Sequence, residues 1–244
     1  METVGVGQMF RSLFRNDQAM TSVFAVILVY LALNIVGNLI LYFFQFDVGN
    51  TGAYNIFVGG CFAAQVVAMM LIPAIRKKVD KMQLFLYAIL IQILGFAVLL
   101  VFANTGLFKM TSWMILMIPG VMVYAGYGVL TVMLTIFLAD SVDYGELKNG
   151  TREESVIFSM QTFTVKLAAG IAIFIAGIII DIVALDPNAV VQSAATLTGL
   201  RIFMTIPSAV ILIIALVVFK KFYRLSDSRM EEIIGELGQR KNNA

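Results

Sequence analysis

The sequence has no histidine and one cysteine in 244 residues. With Cys61 alone and no imidazole, an intrachain disulfide is impossible and a zinc or haem site has almost no ligands to draw on. Charge is scarce as well: Asp, Glu, Lys and Arg make up 13% of the chain against 60% hydrophobic residues. A soluble domain of this size would not carry so little charge, so the composition points to an integral membrane protein. The apolar runs lack the alternation of barrel strands, which leaves helices. No cleavable leader is expected, because residues 1–18 are mixed and the first apolar run is too long for one. An intramembrane enzyme is disfavoured: there are no paired acids within the runs and no serine in a nucleophile-elbow setting. No catalytic residue, metal ligand or resident cofactor is assigned. The basic residues follow a membrane pattern, described next, so nucleic acid is not an expected partner.

What is present is six long apolar runs, at about 19–44, 52–74, 84–103, 113–139, 155–180 and 200–219. The expected architecture is an all-α membrane protein with a six-helix bundle over 19–221. A short amphipathic lead-in (1–18) and a tail (222–244) flank it. In the tail, Ser228-x-x-Glu231 fits a capping box, and Met230, Ile233, Ile234 and Leu237 fall at helical spacing. That pattern predicts a short amphipathic helix lying on the bundle or the headgroups. Six crossings place both termini on one side, and fourteen of the seventeen Lys and Arg residues fall there. The excess makes that side cytoplasmic, in a multi-pass protein of the cell membrane. No short internal repeat is visible.

Polar residues inside the runs form stripes. Tyr30, Asn34, Asn38 and Tyr42 are spaced by four in the first run. Tyr124, Gly128, Thr131 and Thr135 follow a Pro119-Gly120 break in the fourth, and Ser155, Ser159, Thr162, Lys166 and Gly170 line the fifth, with Gln161 about 100° around. Lone amides such as Gln65 and Gln92 fit helix–helix glue. Stripes several turns long fit a water-filled cavity. Lys166 stands about 18 Å past Glu154 at ~1.5 Å per residue, near the middle of a hydrocarbon layer about 30 Å thick. A charge at that depth marks a functional site by default.

The fourth and fifth runs are joined by a charged stretch with Asp140, Asp143, Glu146 and Arg152, expected as a loop. Its Thr151-Arg-Glu-Glu154 segment fits a capping box for the next helix. The acids and the arginine can form charge pairs that close the cytoplasmic side and break when it opens.

Three segments, Ala139-Asp-Ser-Val-Asp-Tyr-Gly-Glu146, Arg152-Glu-Glu-Ser155 and Ser159-Met-Gln-Thr-Phe-Thr-Val-Lys166, resemble the hallmark run of the glycoside–pentoside–hexuronide:cation symporters. These are the melibiose-permease-like branch of the major facilitator superfamily. Asn16, Asn34, Asn38, the basic loop at 76–81 and Phe222-Tyr-Arg-Leu225 extend the resemblance over nearly the whole chain. It implies the C-terminal six-helix half of a twelve-helix transporter, in which the N-terminal half carries the cation-site acids and the main sugar-binding carboxylates. It implies Lys166 between the cation and sugar sites, Gln161 and Thr162 facing the sugar, and a cytoplasmic gate of Asp140, Asp143, Glu146 and Arg152. Asn34, Asn38 and Tyr124 complete the candidate substrate-facing set. The implied partners are a sugar, a coupling cation (H+, Na+ or Li+), the lipid bilayer, and an N-terminal half-transporter or a second copy of the chain. The alternative is a non-transporting remnant or membrane scaffold that keeps only the fold.

Overall fold

The computed structural model of the chain describes residues 14–242. The expected amphipathic lead-in lies mostly outside them. Six helices are long and apolar enough to cross a membrane: α1 (Asp17–Tyr42), α2 (Thr51–Ile75), α3 (Lys81–Thr105), α5 (Met117–Asn149), α6 (Glu154–Ile182) and α7 (Ala194–Phe222). A one-turn helix, α4 (Leu107–Met110), and a 3-10 turn at Trp113–Leu116 connect α3 to α5. An amphipathic helix, α8 (Asp227–Asn242), follows α7. Short polar side chains start four of the spans by taking a free first-turn amide: Asn16 for α1, Asn50 for α2, Asp80 for α3 and Ser193 for α7.

Several boundaries differ from the sequence expectation. The stretch after Ala139 is not a loop; α5 runs on to Asn149 and stops at Gly150, whose φ of 76° is the left-handed cap conformation. Lys81, expected in a basic loop, is the first residue of α3 and is buried. Pro119 breaks nothing. It sits in the first turn of α5, where its missing N–H has no intrahelical acceptor to lose. Pro73 likewise lies inside the last turn of α2. The capping box at Thr151 does not form, because α6 starts at Glu154 and that carboxylate turns back to Arg152. Ser226, not Ser228, caps α8 by accepting the Arg229 amide at 3.2 Å. That earlier start puts Asp227 in the first turn, within reach of Arg76. On α8, Met230, Ile233 and Leu237 are buried against the bundle while Ile234 is exposed.

The packing has a symmetry that the sequence hides. α1 packs along α6 and α7; α5 packs along α2 and α3; α1 also crosses α5, and α3 crosses α7. Exchanging α1 with α5, α2 with α6 and α3 with α7 leaves this set of neighbours unchanged. The partners in each exchange run in opposite directions, so the bundle is a 3+3 inverted repeat. Close approach along α5 depends on absent side chains. A Cβ on Gly126 would stand 2.8 Å from the Ala88 carbonyl oxygen of α3, and one on Gly128 would stand 2.8 Å from the Gln65 carbonyl oxygen of α2. Backbone cannot move aside as a side chain can, so both positions require glycine.

One expected piece of helix glue fails. Gln92 of α3 is fully buried, and neither of its amide atoms finds a partner among the described residues. Its neighbour across the contact is Gly126, which offers no polar side chain.

Candidate functional site

α2 and α6 are the least enclosed spans, each leaning on one main neighbour, and they flank a polar side built by α1 and α5. Between α1, α2 and α5 lies an open groove of about 480 Å³, lined by Tyr30, Gln65, Met69, Tyr127, Thr131 and Thr135 among others. The rings of Tyr30 and Tyr127 meet edge to face, 5.5 Å between centroids and 77° between planes. From the α6 side, the Gln161 amide donates to the Thr135 hydroxyl at 3.2 Å. The groove therefore presents hydroxyls, an amide and aromatic edges, the equipment that binds neutral polyhydroxylated molecules.

The predicted site residues separate into three sets. Gln161 reaches the groove. Asn34 and Asn38 are half-buried on α1, and their amide nitrogens donate to the backbone oxygens of Tyr30 and Asn34, both at 2.7 Å. Tyr124 is not on the groove; it lines a small pocket with Val36, Ile40, Phe57 and Gly120, and Tyr127, one turn along, occupies the groove wall. Sequence periodicity missed Tyr127 and Gln65. Tyr127 is rotated about 60° from Tyr124, close enough that a wider stripe would have included it.

The α6 stripe has an unexpected direction. The face of α6 that packs on the bundle carries Val156, Met160, Thr164, Ala168, Ala172 and Ala176. Ser155, Ser159, Thr162, Lys166 and Gly170 lie on the opposite side and are all exposed. Lys166 therefore points away from the six helices, and among the described residues it makes no ion pair or hydrogen bond. Gln161 alone turns inward. The stripe turns away from this bundle and faces whatever packs against α6.

At the end carrying the termini, the predicted gate residues divide between two charge networks, and Lys148 pairs separately with Asp17. Arg152 donates to Asp143 at 2.7 Å and to Glu146 at 2.8 Å, and its Nε reaches Glu154 at 3.2 Å. Hydrogen bonds from the guanidinium to Glu146 and Asp143 raise its pKa above even its ordinary high value. Asp140 is not in that group. Because this stretch is helical, Asp143 and Glu146 lie one turn apart while Asp140 is rotated about 120° from Glu146 and turns into the bundle. There Lys81 Nζ donates to its Oδ2 at 2.6 Å, and the Tyr223 hydroxyl donates to the same oxygen at 3.1 Å. The Lys81 side chain is 2% exposed. Burial and the Asp140 carboxylate push the Tyr223 phenol well above its ordinary value. Lys81 also lies 3.6 Å from Asp227, which Arg76 grips with two nitrogens at 2.9 and 3.0 Å. The network ties the α2–α3 turn, α5 and the α7–α8 turn together. An aromatic stack of Phe85, Phe137, Phe219 and Tyr223, with centroids 4.4 to 5.4 Å apart, shields it from the apolar side.

The opposite end has its own anchor, which sequence reasoning missed. After α1 the chain widens into a π-type turn, Phe43–Val48, that carries Asp47 inward. Arg201 grips the Asp47 carboxylate with two nitrogens at 2.6 and 2.8 Å, and Lys109 approaches at 2.8 Å. The available signal was that an acid and an arginine near the same end of two apolar runs need partners.

A protein-family model described as MFS/sugar transport protein matches residues 1–227. Curated relatives include the raffinose carrier protein of Pediococcus pentosaceus, 28% identical over 97% of this chain and 36% of its own length. Another is a putative sulfoquinovose importer of Escherichia coli, 29% identical over 96% of this chain and 48% of its own length. A third is the lactose permease of Lactobacillus delbrueckii subsp. bulgaricus, 26% identical over 97% of this chain and 37% of its own length. The chain thus spans half or less of the length of these relatives.

Proposed function

We propose, from the premise that this chain belongs to the MFS/sugar transport protein family, that it acts as the C-terminal six-helix half of a cation-coupled sugar symporter. The observation that carries this reading is the outward-facing stripe of α6. A lysine near mid-membrane with no partner in its own bundle must meet charge or water supplied from outside it. A second six-helix half packed against α2 and α6 would close the groove into a cavity. It would bring Lys166 and Thr162 opposite the acids that hold H+, Na+ or Li+. Gln161, Tyr30, Tyr127 and Gln65 would then contact a glycoside, pentoside or hexuronide from this side. The basic end is the cytoplasmic one, by the excess of lysine and arginine. There the Arg152 cluster forms the closing contacts, while Lys81 holds Asp140 inside the bundle.

The test is sugar counterflow in proteoliposomes, with this chain alone and with a complementary six-helix half supplied. Counterflow is expected only with both halves and is lost with Lys166→Ala. Counterflow by the chain alone that survives Lys166→Ala would overturn the assignment of the site.

A further inference from the structure

On the side remote from the polar groove, α3 and α7 pack together and leave a recess at the end that carries the termini. It holds about 170 Å³. Leu86 and Leu216 form its walls, Phe85 and Phe219 its floor, and Gln83 and Lys220 its mouth. Met82 completes the lining, which is apolar apart from those two mouth residues.

The recess sits where a lipid headgroup meets its chains. Lys220 and Arg201 mark the two rims of α7, and the 19-residue step between them spans about 28 Å at ~1.5 Å per residue, close to the thickness of the hydrocarbon layer. The recess opens from the Lys220 rim inward. Lys220 is exposed and makes no ion pair among the described residues, while the neighbouring Lys221 lies over the Phe222 ring. A free cation above an apolar slot matches an anion joined to a hydrocarbon chain.

We propose that this recess is a binding site for one anionic phospholipid of the leaflet at the terminal end. Its phosphate meets Lys220 and Gln83, and the upper part of one acyl chain lies between Leu86 and Leu216. The occupant is a lipid and not a soluble phosphate, because the recess below the cation is apolar and would otherwise stay unfilled. The chain would rest on Phe85 and Phe219, two rings of the stack that shields the Lys81–Asp140 pair. Lipid occupancy therefore supports that network from its apolar side.

The experiment is native mass spectrometry of the detergent-purified chain, with phosphatidylglycerol and phosphatidylcholine added in equal amounts, alongside thermal unfolding in each lipid. Phosphatidylglycerol is expected to be retained in preference and to raise the unfolding temperature. Lys220→Gln is expected to cut that preference about fivefold, the factor that about 1 kcal/mol per lysine near an anionic surface corresponds to. Leu216→Trp, which fills the slot, is expected to reduce retention of both lipids while leaving the protein folded. Millimolar glycerol 3-phosphate is not expected to compete. Equal retention of the two lipids, a preference untouched by both substitutions, or displacement by glycerol 3-phosphate would each overturn the proposal.

Discussion

Lys81 and Lys166 both lie in apolar helices and meet opposite environments. Lys81 opens α3, is buried, and is met by Asp140 at 2.6 Å and Asp227 at 3.6 Å. Lys166 lies deep in α6, is exposed on the face turned away from the bundle, and has no partner among the described residues. The first is satisfied inside the six helices and belongs to their stability. The second is left unsatisfied by them, as the proposed packing against a second half requires. The bundle neutralises one lysine with two carboxylates and leaves the other bare near mid-membrane.

Four substitutions or conditions would break or sharpen this contrast. Lys81→Met strands a carboxylate inside the bundle, and losing one partner of a buried pair costs about 3–5 kcal/mol. Unfolding in detergent should show that loss, and Lys81→Met with Asp140→Leu should recover much of it. Non-recovery would show that the pair is not what destabilises the single variant. Gln92, unlike Lys166, is enclosed within the bundle, and neither of its amide atoms is paired among the described residues. Gln92→Met removes an unpaired buried amide at nearly constant volume and should raise stability by about 1–2 kcal/mol. A loss would mean that the amide has a partner.

The acid response should be smaller. Burial raises the Asp227 carboxyl, but hydrogen bonds, from Arg76 above all, and the Arg76 charge outweigh it and bring its pKa down to about 2. A depressed carboxylate adds stability above its unfolded value of about 3.9, and that contribution disappears as the pH falls through about 2. A fluorophore on Ile234→Cys, an exposed position on α8, should therefore report release of that helix between about pH 4 and pH 2. Adding Asp227→Asn should release it at neutral pH. Smallest of all, Lys166→Ala should change the stability of the isolated chain by no more than about 0.5 kcal/mol, the range of a surface substitution. A loss comparable to that of Lys81→Met would erase the contrast.

How much of this was legible in the sequence depends on the range over which each signal acts. Six apolar runs of about twenty residues are a strong one-dimensional signal, and each appears as a helix. The Arg152 cluster was legible because all its members lie within twelve residues of one another. Lys81 was not, since a basic residue after a span looks the same whether it is solvated or buried, and its partner Asp140 is 59 residues away. The inverted repeat was hidden because helix packing asks only for small residues at a few crossings, such as Gly126 and Gly128, and tolerates any apolar residue elsewhere. Periodicity placed Thr162 and Lys166 on one face of α6 and Gln161 on another. It fixes the angle between faces and says nothing about which face meets a neighbour, so the outward turn of the stripe had to come from the fold.

The outward stripe is the central claim, and a photo-crosslinker tests it most directly. With benzoylphenylalanine at position 162, in membranes holding this chain and a complementary six-helix half, irradiation should yield an adduct with that half. The adduct should weaken when the transported sugar is bound. Adducts with lipid alone would contradict the account, because the polar face of α6 would then look onto the bilayer and not onto a partner.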